Sequence, residues 1–207
     1  DVSQVQLLAV SKTFPAASVQ QALDAGQRDF GENYIQEAVA KIGELAGMPA
    51  VRHCIGPIQG NKTRLVAEHF DWAQSVDRLK IAQRLSDQRP AHLAPLQVCI
   101  QVNTDGGPTK AGVTPEALPE LARAISRLPR LRLRGLMTIP EPAADFTSAC
   151  ALHARARALF DALNAQGLAL DTLSMGMSAD VEAAIHAGST MVRVGTAIFG
   201  GRTRTTA

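Results

Sequence analysis

Strand-like and helix-like segments alternate along this 207-residue chain without a break, and that alternation constrains the fold more than any other feature. Residues 6–13, 28–32, 51–55, 72–76, 96–102, 131–139, 172–175 and 191–194 are short strand-like runs. Between them, residues 16–25, 34–45, 62–69, 78–87, 114–128, 146–165 and 179–187 carry helical periodicity or helix boundary signals. Ile35, Ala38, Val39 and Ile42 share one helical face. Asp77 is placed to cap a helix, Thr114-Pro115 to open one, and Gly26, Gly167 and Gly188 to end three others. Strict alternation implies a parallel sheet, and eight units suggest a closed α/β structure, the (β/α)8 TIM barrel. An open doubly wound sheet is the alternative, but no G-x-G-x-x-G follows any of the strands. No linker interrupts the pattern, so residues 1–207 read as a single domain. The sequence begins almost directly at a strand and has seven residues after Gly200. An N-terminal helix is therefore expected to be missing, and a C-terminal one trimmed or disordered.

Composition removes several function classes. Apolar residues make up 46% of the chain but aromatics only 4%, so the core must be mostly Ala, Val, Leu and Ile. The 21 basic and 19 acidic residues are interspersed, with no basic run and no interleaved aromatics, which argues against a nucleic-acid groove. No apolar stretch is long enough to span a membrane, and no basic-then-apolar secretory signal opens the chain. Cys54, Cys99 and Cys150 are far apart and odd in number, so reduced, mostly buried thiols in a cytoplasmic protein are expected. The five histidines form no i, i+4 pair, and no metal site is expected.

In a barrel of this kind the working residues sit at the C-terminal ends of the strands. Those ends offer Lys12; Glu32 and Asn33; His53, Ile55 and Gly56; Asn103; Met137 and Thr138; residues 174–178; and Arg193, Gly195 and Thr196. Alternation puts Leu8, Val10 and Lys12 on one face of the first strand. On that stretch alone, Lys12 reads equally as an ammonium snorkelling to water or as a desolvated amine held for carbonyl chemistry. The run Ser174-Met175-Gly176-Met177-Ser178-Ala179-Asp180 and the run Arg193-Val194-Gly195-Thr196 supply hydroxyls, glycines and helix starts. Taken singly, each is explained by ordinary helix capping. Together they occupy the loops after strands seven and eight, the usual phosphate site of such barrels. Closure makes strand eight the neighbour of strand one. An amine beside a phosphate cradle suits a phosphorylated aldehyde, namely pyridoxal 5′-phosphate (PLP).

The segments LLAVSKT (7–13), FGENYIQEA (30–38), HCIGPIQGNK (53–62), QVNTDGGPTKAG (101–112), RGLMTIP (134–140) and LSMGMSADVEAAIHAGSTMVRVGTAIFGGR (173–202) carry a resemblance across nearly the whole chain. By these motifs the sequence resembles the PLP homeostasis protein family, whose fold is similar to the alanine racemase N-terminal barrel (fold-type III). The resemblance implies that Lys12 forms the Schiff base and that Ser178, Gly195 and Thr196 hold the phosphate. It implies that Arg193 faces the pyridine nitrogen and that Asn33 approaches the cofactor's polar edge. Members often carry a second lysine where this chain has Phe14, while Lys110 matches a lysine common among them. The family's IGxLQxNK motif reads Ile55-Gly56-Pro57-Ile58-Gln59-Gly60-Asn61-Lys62 here, and its usual first helix is absent from this sequence.

An arginine opposite the pyridine nitrogen donates a hydrogen bond and cannot accept a proton, so the ring would be a weak electron sink. Racemisation needs two acid–base groups on opposite faces of the substrate carbon. The chain has a single tyrosine, Tyr34, which reads as a helix residue outside the barrel, and no catalytic residue is assigned. The expectation is a monomeric, cytoplasmic carrier in vitamin B6 homeostasis that holds and buffers PLP and delivers it to apo PLP-dependent enzymes. A PLP-dependent amino-acid racemase-like enzyme is the alternative.

Overall fold

A computed structural model describes residues 1–107 and 110–201. Pro108 and Thr109, and the residues from Arg202 onward where the trimmed C-terminal helix is expected, lie outside the described residues. The strands are β1 (Gln6–Val10), β2 (Asp29–Glu32), β3 (Val51–Cys54), β4 (Trp72–Val76), β5 (Leu96–Gln101), β6 (Leu131–Met137), β7 (Thr172–Met177) and β8 (Met191–Val194). They pair in parallel in sequence order, and β8 closes on β1 with Gln6 opposite Met191 and Ala9 opposite Val194. The helices are α1 (Ala16–Asp24), α2 (Ile35–Glu44), α3 (Thr63–His69), α4 (Leu79–Gln88), α5 (Leu118–Ser126), α6 (Phe146–Ala165), α7 (Val181–His186) and α8 (Thr196–Phe199). The expected (β/α)8 TIM barrel is thus present.

Several element boundaries shift by one to four residues from the sequence reading, and one short helix is added. The first strand stops at Val10, and Ser11 to Phe14 form a turn closed by Phe14 N–H donating to the Ser11 carbonyl (3.1 Å). The fifth helix starts at Leu118; Thr114 instead caps a preceding turn, its carbonyl accepting from Leu118 N–H. The four-residue α8 is too short to show periodicity in sequence.

The apolar core is a ring between strands and helices. Val66, Ala67 and Phe70, Ala82 and Leu85, Ile125, and Leu163 come from the helical side. They pack on Ala73, Val76, Val98, Ile100, Leu136 and Leu173 of the strands. Each fully buried Leu, Ile, Val or Phe contributes roughly 1.5–3 kcal/mol. A satellite cluster of Ala9, Val19, Leu23, Phe30 and Leu45 fixes α1 and α2 against β1 and β2. Inside the barrel, Leu8, Ile55 and Met191 form one small apolar layer and Trp72, Cys99 and Met137 another. Trp72 lies between the His53 ring (4.9 Å, stacked) and the Arg134 guanidinium (4.7 Å), and Arg134 pairs with Asp171.

Among the described residues there is no His/Cys/Asp/Glu group suited to a metal, and no helix long and apolar enough to cross a membrane. Burial pushes the Cys54 and Cys99 thiols up to about 12, while Cys150 is half-buried. A thiol-alkylating reagent at mildly alkaline pH is expected to label Cys150 in the folded protein. Cys54 and Cys99 should react only after denaturation, as peptide mass spectrometry would read.

Candidate functional site

β8 supplies the most buried functional side chain. Arg193 is 3% exposed and lies opposite Leu8 of β1 and Met177 of β7. Its Nη1 donates to Ser174 Oγ and its Nη2 to the Thr138 carbonyl, both at 2.8 Å. Both acceptors are neutral. Burial lowers its pKa to about 10, partly opposed by Asp180, so the guanidinium remains a cation at neutral pH.

Behind Arg193 a single-direction chain of hydrogen bonds crosses the barrel interior. Ser174 Oγ donates to Gln74 Oε1 (2.6 Å), and Gln74 Nε2 donates to His53 Nδ1 (2.9 Å). His53 then donates from Nε2 to Asp29 Oδ1 (2.9 Å), which fixes its tautomer. Ser174, Gln74 and His53 are completely buried, and desolvation pushes His53 down from its ordinary pKa, so its imidazole is neutral. The sequence reading put His53 at a strand end; here it points into the barrel and belongs to this chain.

The two C-terminal turns converge. Ser178 and Thr196 are exposed, and the Thr196 hydroxyl donates to Ser178 Oγ across 3.4 Å. Thr196 opens α8, whose first N–H groups have no acceptor within that helix. Gly195 precedes it against the end of β1; a Cβ there would meet the Val10 carbonyl oxygen at 3.3 Å. The loop carrying Ser178 is fixed by Asp180, whose Oδ1 accepts from Met177 N–H (2.7 Å) and whose Oδ2 pairs with His153 Nε2 (2.8 Å).

Lys12 is half-buried in the turn after β1, beside Thr13 in a left-handed conformation (φ 67°). Phe14, in place of the lysine frequent in the family, stacks on Phe199 of α8 with ring centroids 5.2 Å apart. Asn33 ends β2 with its Oδ1 buried and lacking a hydrogen-bond partner among the described residues. Gly56 lies hard against it: a Cβ at Gly56 would overlap the Asn33 backbone. Tyr34 is the N-cap of α2 and 55% exposed. Lys110 pairs with Asp105 (3.3 Å) and Glu141 (3.2 Å), and Asn103 is occupied with its own loop through Gly106 and Gly107.

Closure of β8 on β1 therefore brings Lys12, Arg193, Gly195 and Thr196 to one region of the barrel mouth, with Ser178 joined through Thr196. Asn33 lies at the adjoining end of β2, which pairs with β1. The sequence reading missed Gln74 as a link behind Arg193. It also missed a buried ion pair, Lys41 Nζ to Glu32 Oε1 (2.6 Å), next to the Lys12 turn. Burial raises Glu32 above the usual carboxylate range despite Lys41 and Ser11. One signal was present: Lys41 falls on the same face of α2 as Ile35, Ala38 and Leu45, where a solvated lysine is out of place.

The family model for the alanine racemase N-terminal domain matches residues 2–203. A pyridoxal phosphate homeostasis protein of Pseudomonas aeruginosa is 62% identical over 202 residues, covering 98% of this chain and 86% of the relative. The structure of PipY of Synechococcus elongatus with PLP bound superposes with a TM-score of 0.87 at 42% identity, over 95% of this chain and 93% of PipY. An alanine racemase of Clostridium difficile has a TM-score of 0.78 at 15% identity, over 98% of this chain and 53% of the racemase, which is a likeness of fold alone.

Two outcomes follow from the site geometry. Ser174→Ala removes an acceptor from Arg193 and a donor from Gln74, both buried. It is expected to destabilise the cofactor-free protein by roughly 1–3 kcal/mol in urea titration, with the circular dichroism of the native state unchanged. Asp180 has its carboxyl held below the ordinary 3.8, first by the His153 hydrogen bond. It binds its proton less readily when folded, so it adds stability above that ordinary value, lost as pH falls through the lowered one. Asp180→Asn should flatten the acid limb of the stability–pH curve.

Proposed function

This chain belongs to the alanine racemase N-terminal domain family and, within it, to the pyridoxal phosphate homeostasis proteins, and on that footing we propose that its barrel mouth holds PLP for storage and delivery. The observation that carries this reading is the convergence of an amine, a buried guanidinium and a pair of hydroxyls at the seam where β8 closes on β1. PLP supplies an aldehyde that condenses reversibly with a primary amine, releasing water. Lys12 is the amine. The Ser178 and Thr196 hydroxyls, with the first N–H groups of α8 after Gly195, bind the phosphate dianion. The buried Oδ1 of Asn33, which lacks a partner among the described residues, fits a donor on the cofactor's polar edge.

Arg193 presents N–H to the pyridine nitrogen. With a pKa near 10 and two neutral acceptors already engaged, it keeps its proton. With that proton retained by Arg193, a cofactor held here would keep an unprotonated ring nitrogen and would supply only weak electron withdrawal. We propose accordingly that the protein does not turn over amino acids robustly. A racemase-like activity is the second reading, favoured by the racemase-type barrel, but it needs a second acid–base group opposite Lys12. Tyr34, at the exposed cap of α2, is poorly suited to that task.

The chain is proposed to act as one PLP-binding domain, as a monomer in the cytoplasm, with apo PLP-dependent enzymes as recipients. A recipient would compete for the aldehyde with its own active-site lysine, which the reversible linkage permits.

Purified protein mixed with PLP is expected to show a near-visible absorbance band, and borohydride should fix the pyridoxyl group on Lys12 in peptide maps. Lys12→Ala should lose the band, and optical rotation of alanine or serine should stay constant with either protein. A reduced adduct on another lysine would refute the assignment. Turnover that disappears with Lys12→Ala would establish the racemase reading instead.

A further inference from the structure

The turn carrying Lys12 is held from both sides by charged groups that lie outside the proposed cofactor pocket. On one side Ser11 is completely buried; its Oγ donates to Glu32 Oε1 at 2.7 Å, and its N–H donates to the Gly31 carbonyl. On the other side Thr13 N–H donates to Glu37 Oε1 at 2.7 Å. One ammonium joins both arms. Lys41 Nζ, on a residue 6% exposed, reaches Glu32 Oε1 (2.6 Å), the Ser11 carbonyl (2.9 Å) and Glu37 Oε1 (3.3 Å). An ammonium has three protons, and here each has an acceptor.

The arrangement is costly. A lysine and a glutamate are removed from water, and Glu32 has its second oxygen buried with no partner among the described residues. Thr13 occupies a left-handed conformation that a β-branched residue adopts reluctantly. Buried ion pairs in general add little net stability over apolar packing, and here the pair is also committed to the Ser11 hydroxyl and carbonyl. Such an expense is understandable where it fixes the direction of one side chain, and the side chain flanked by both arms is Lys12.

We propose that Lys41, acting through Glu32 and Glu37, is a positioning residue that aims the Lys12 amine at the aldehyde before the cofactor arrives. The inference rests on the reading of Lys12 as the PLP-binding amine. Neither Lys41 nor its two carboxylates needs to touch the cofactor. Their contribution is geometric: an amine held within reach and along the approach line reacts faster than one searching rotamers, and a misplacement of about 1 Å can cost up to 100-fold.

The test uses the full chain and the double variant Lys41→Met/Glu32→Gln, which leaves no lone buried charge. Covalent capture of PLP, followed by absorbance and by borohydride trapping on Lys12, is expected to slow about tenfold or more. Affinity for pyridoxine 5′-phosphate, which has no aldehyde and reports the phosphate and ring contacts alone, is expected to stay within about twofold of the parent. Glu37→Gln, at a half-buried position, weakens one arm and should slow capture to a smaller extent. It serves as the test if the double variant fails to fold by circular dichroism. Capture at the parental rate in the folded variants would overturn the positioning role, as would an equal loss of pyridoxine 5′-phosphate binding, which would mark general damage. Lys12→Ala separates the two ideas: if it still captures PLP covalently at the parental rate, the assignment of the amine itself is wrong.

Discussion

The pairing of β8 with β1 is the constraint on which the rest depends. Four registered residue pairs, from Gln6–Met191 to Ala9–Val194, join the two ends of the chain. Without them Arg193, Gly195 and Thr196 would be far from Lys12, and the barrel would be an open sheet with two unpaired edges. The seam also explains the demand for a small residue at position 195. Val10 stands against it, and the chain must leave β8 immediately to start α8.

Polarity inside the barrel is organised with the same economy. Arg193 is a buried cation with neutral hydrogen-bond partners, and an unbroken run of donors leads from it through Ser174, Gln74 and His53 to Asp29. Arg193 can only donate and Asp29 can only accept, so the direction is set at both ends, and the second Gln74 amide proton goes to Met191 Sδ (3.2 Å). The chain therefore has no alternative arrangement of equal energy, and the guanidinium is fixed in direction as well as in charge. A carboxylate touching Arg193 would hold it as firmly but would neutralise its field at the mouth.

Much of this was legible in the sequence. The strand order follows from alternation alone. The strand-end rule offers a broad set that includes Lys12, Asn33, Ser178, Arg193, Gly195 and Thr196, and the family resemblance narrows it to those six. What escaped was polar and buried. Asp29 and Gln74 look like the solvent side of alternating strands, and His53 reads only as a strand end, because a sequence does not reveal that a barrel's interior has been filled with hydrogen bonds. Lys41 lies on the apolar face of α2, but its charge makes it look like a solvated residue in the sequence. The end of the first strand was misjudged because the turn at Ser11–Phe14 contains neither Gly nor Pro; Glu32 and Glu37 make it from a distance. These two short contacts, one from β2 and one from α2, decided what local propensity could not.

The stacking of Phe14 on Phe199 has a mechanical consequence. One ring belongs to the turn that carries the amine and the other to the helix that follows the phosphate turn. The two elements are thus coupled: α8 cannot move away without carrying the Ser11–Phe14 turn with it or breaking the stack. Displacing either ring would therefore be felt both in the Ser11–Phe14 turn and in the short Thr196–Phe199 helix.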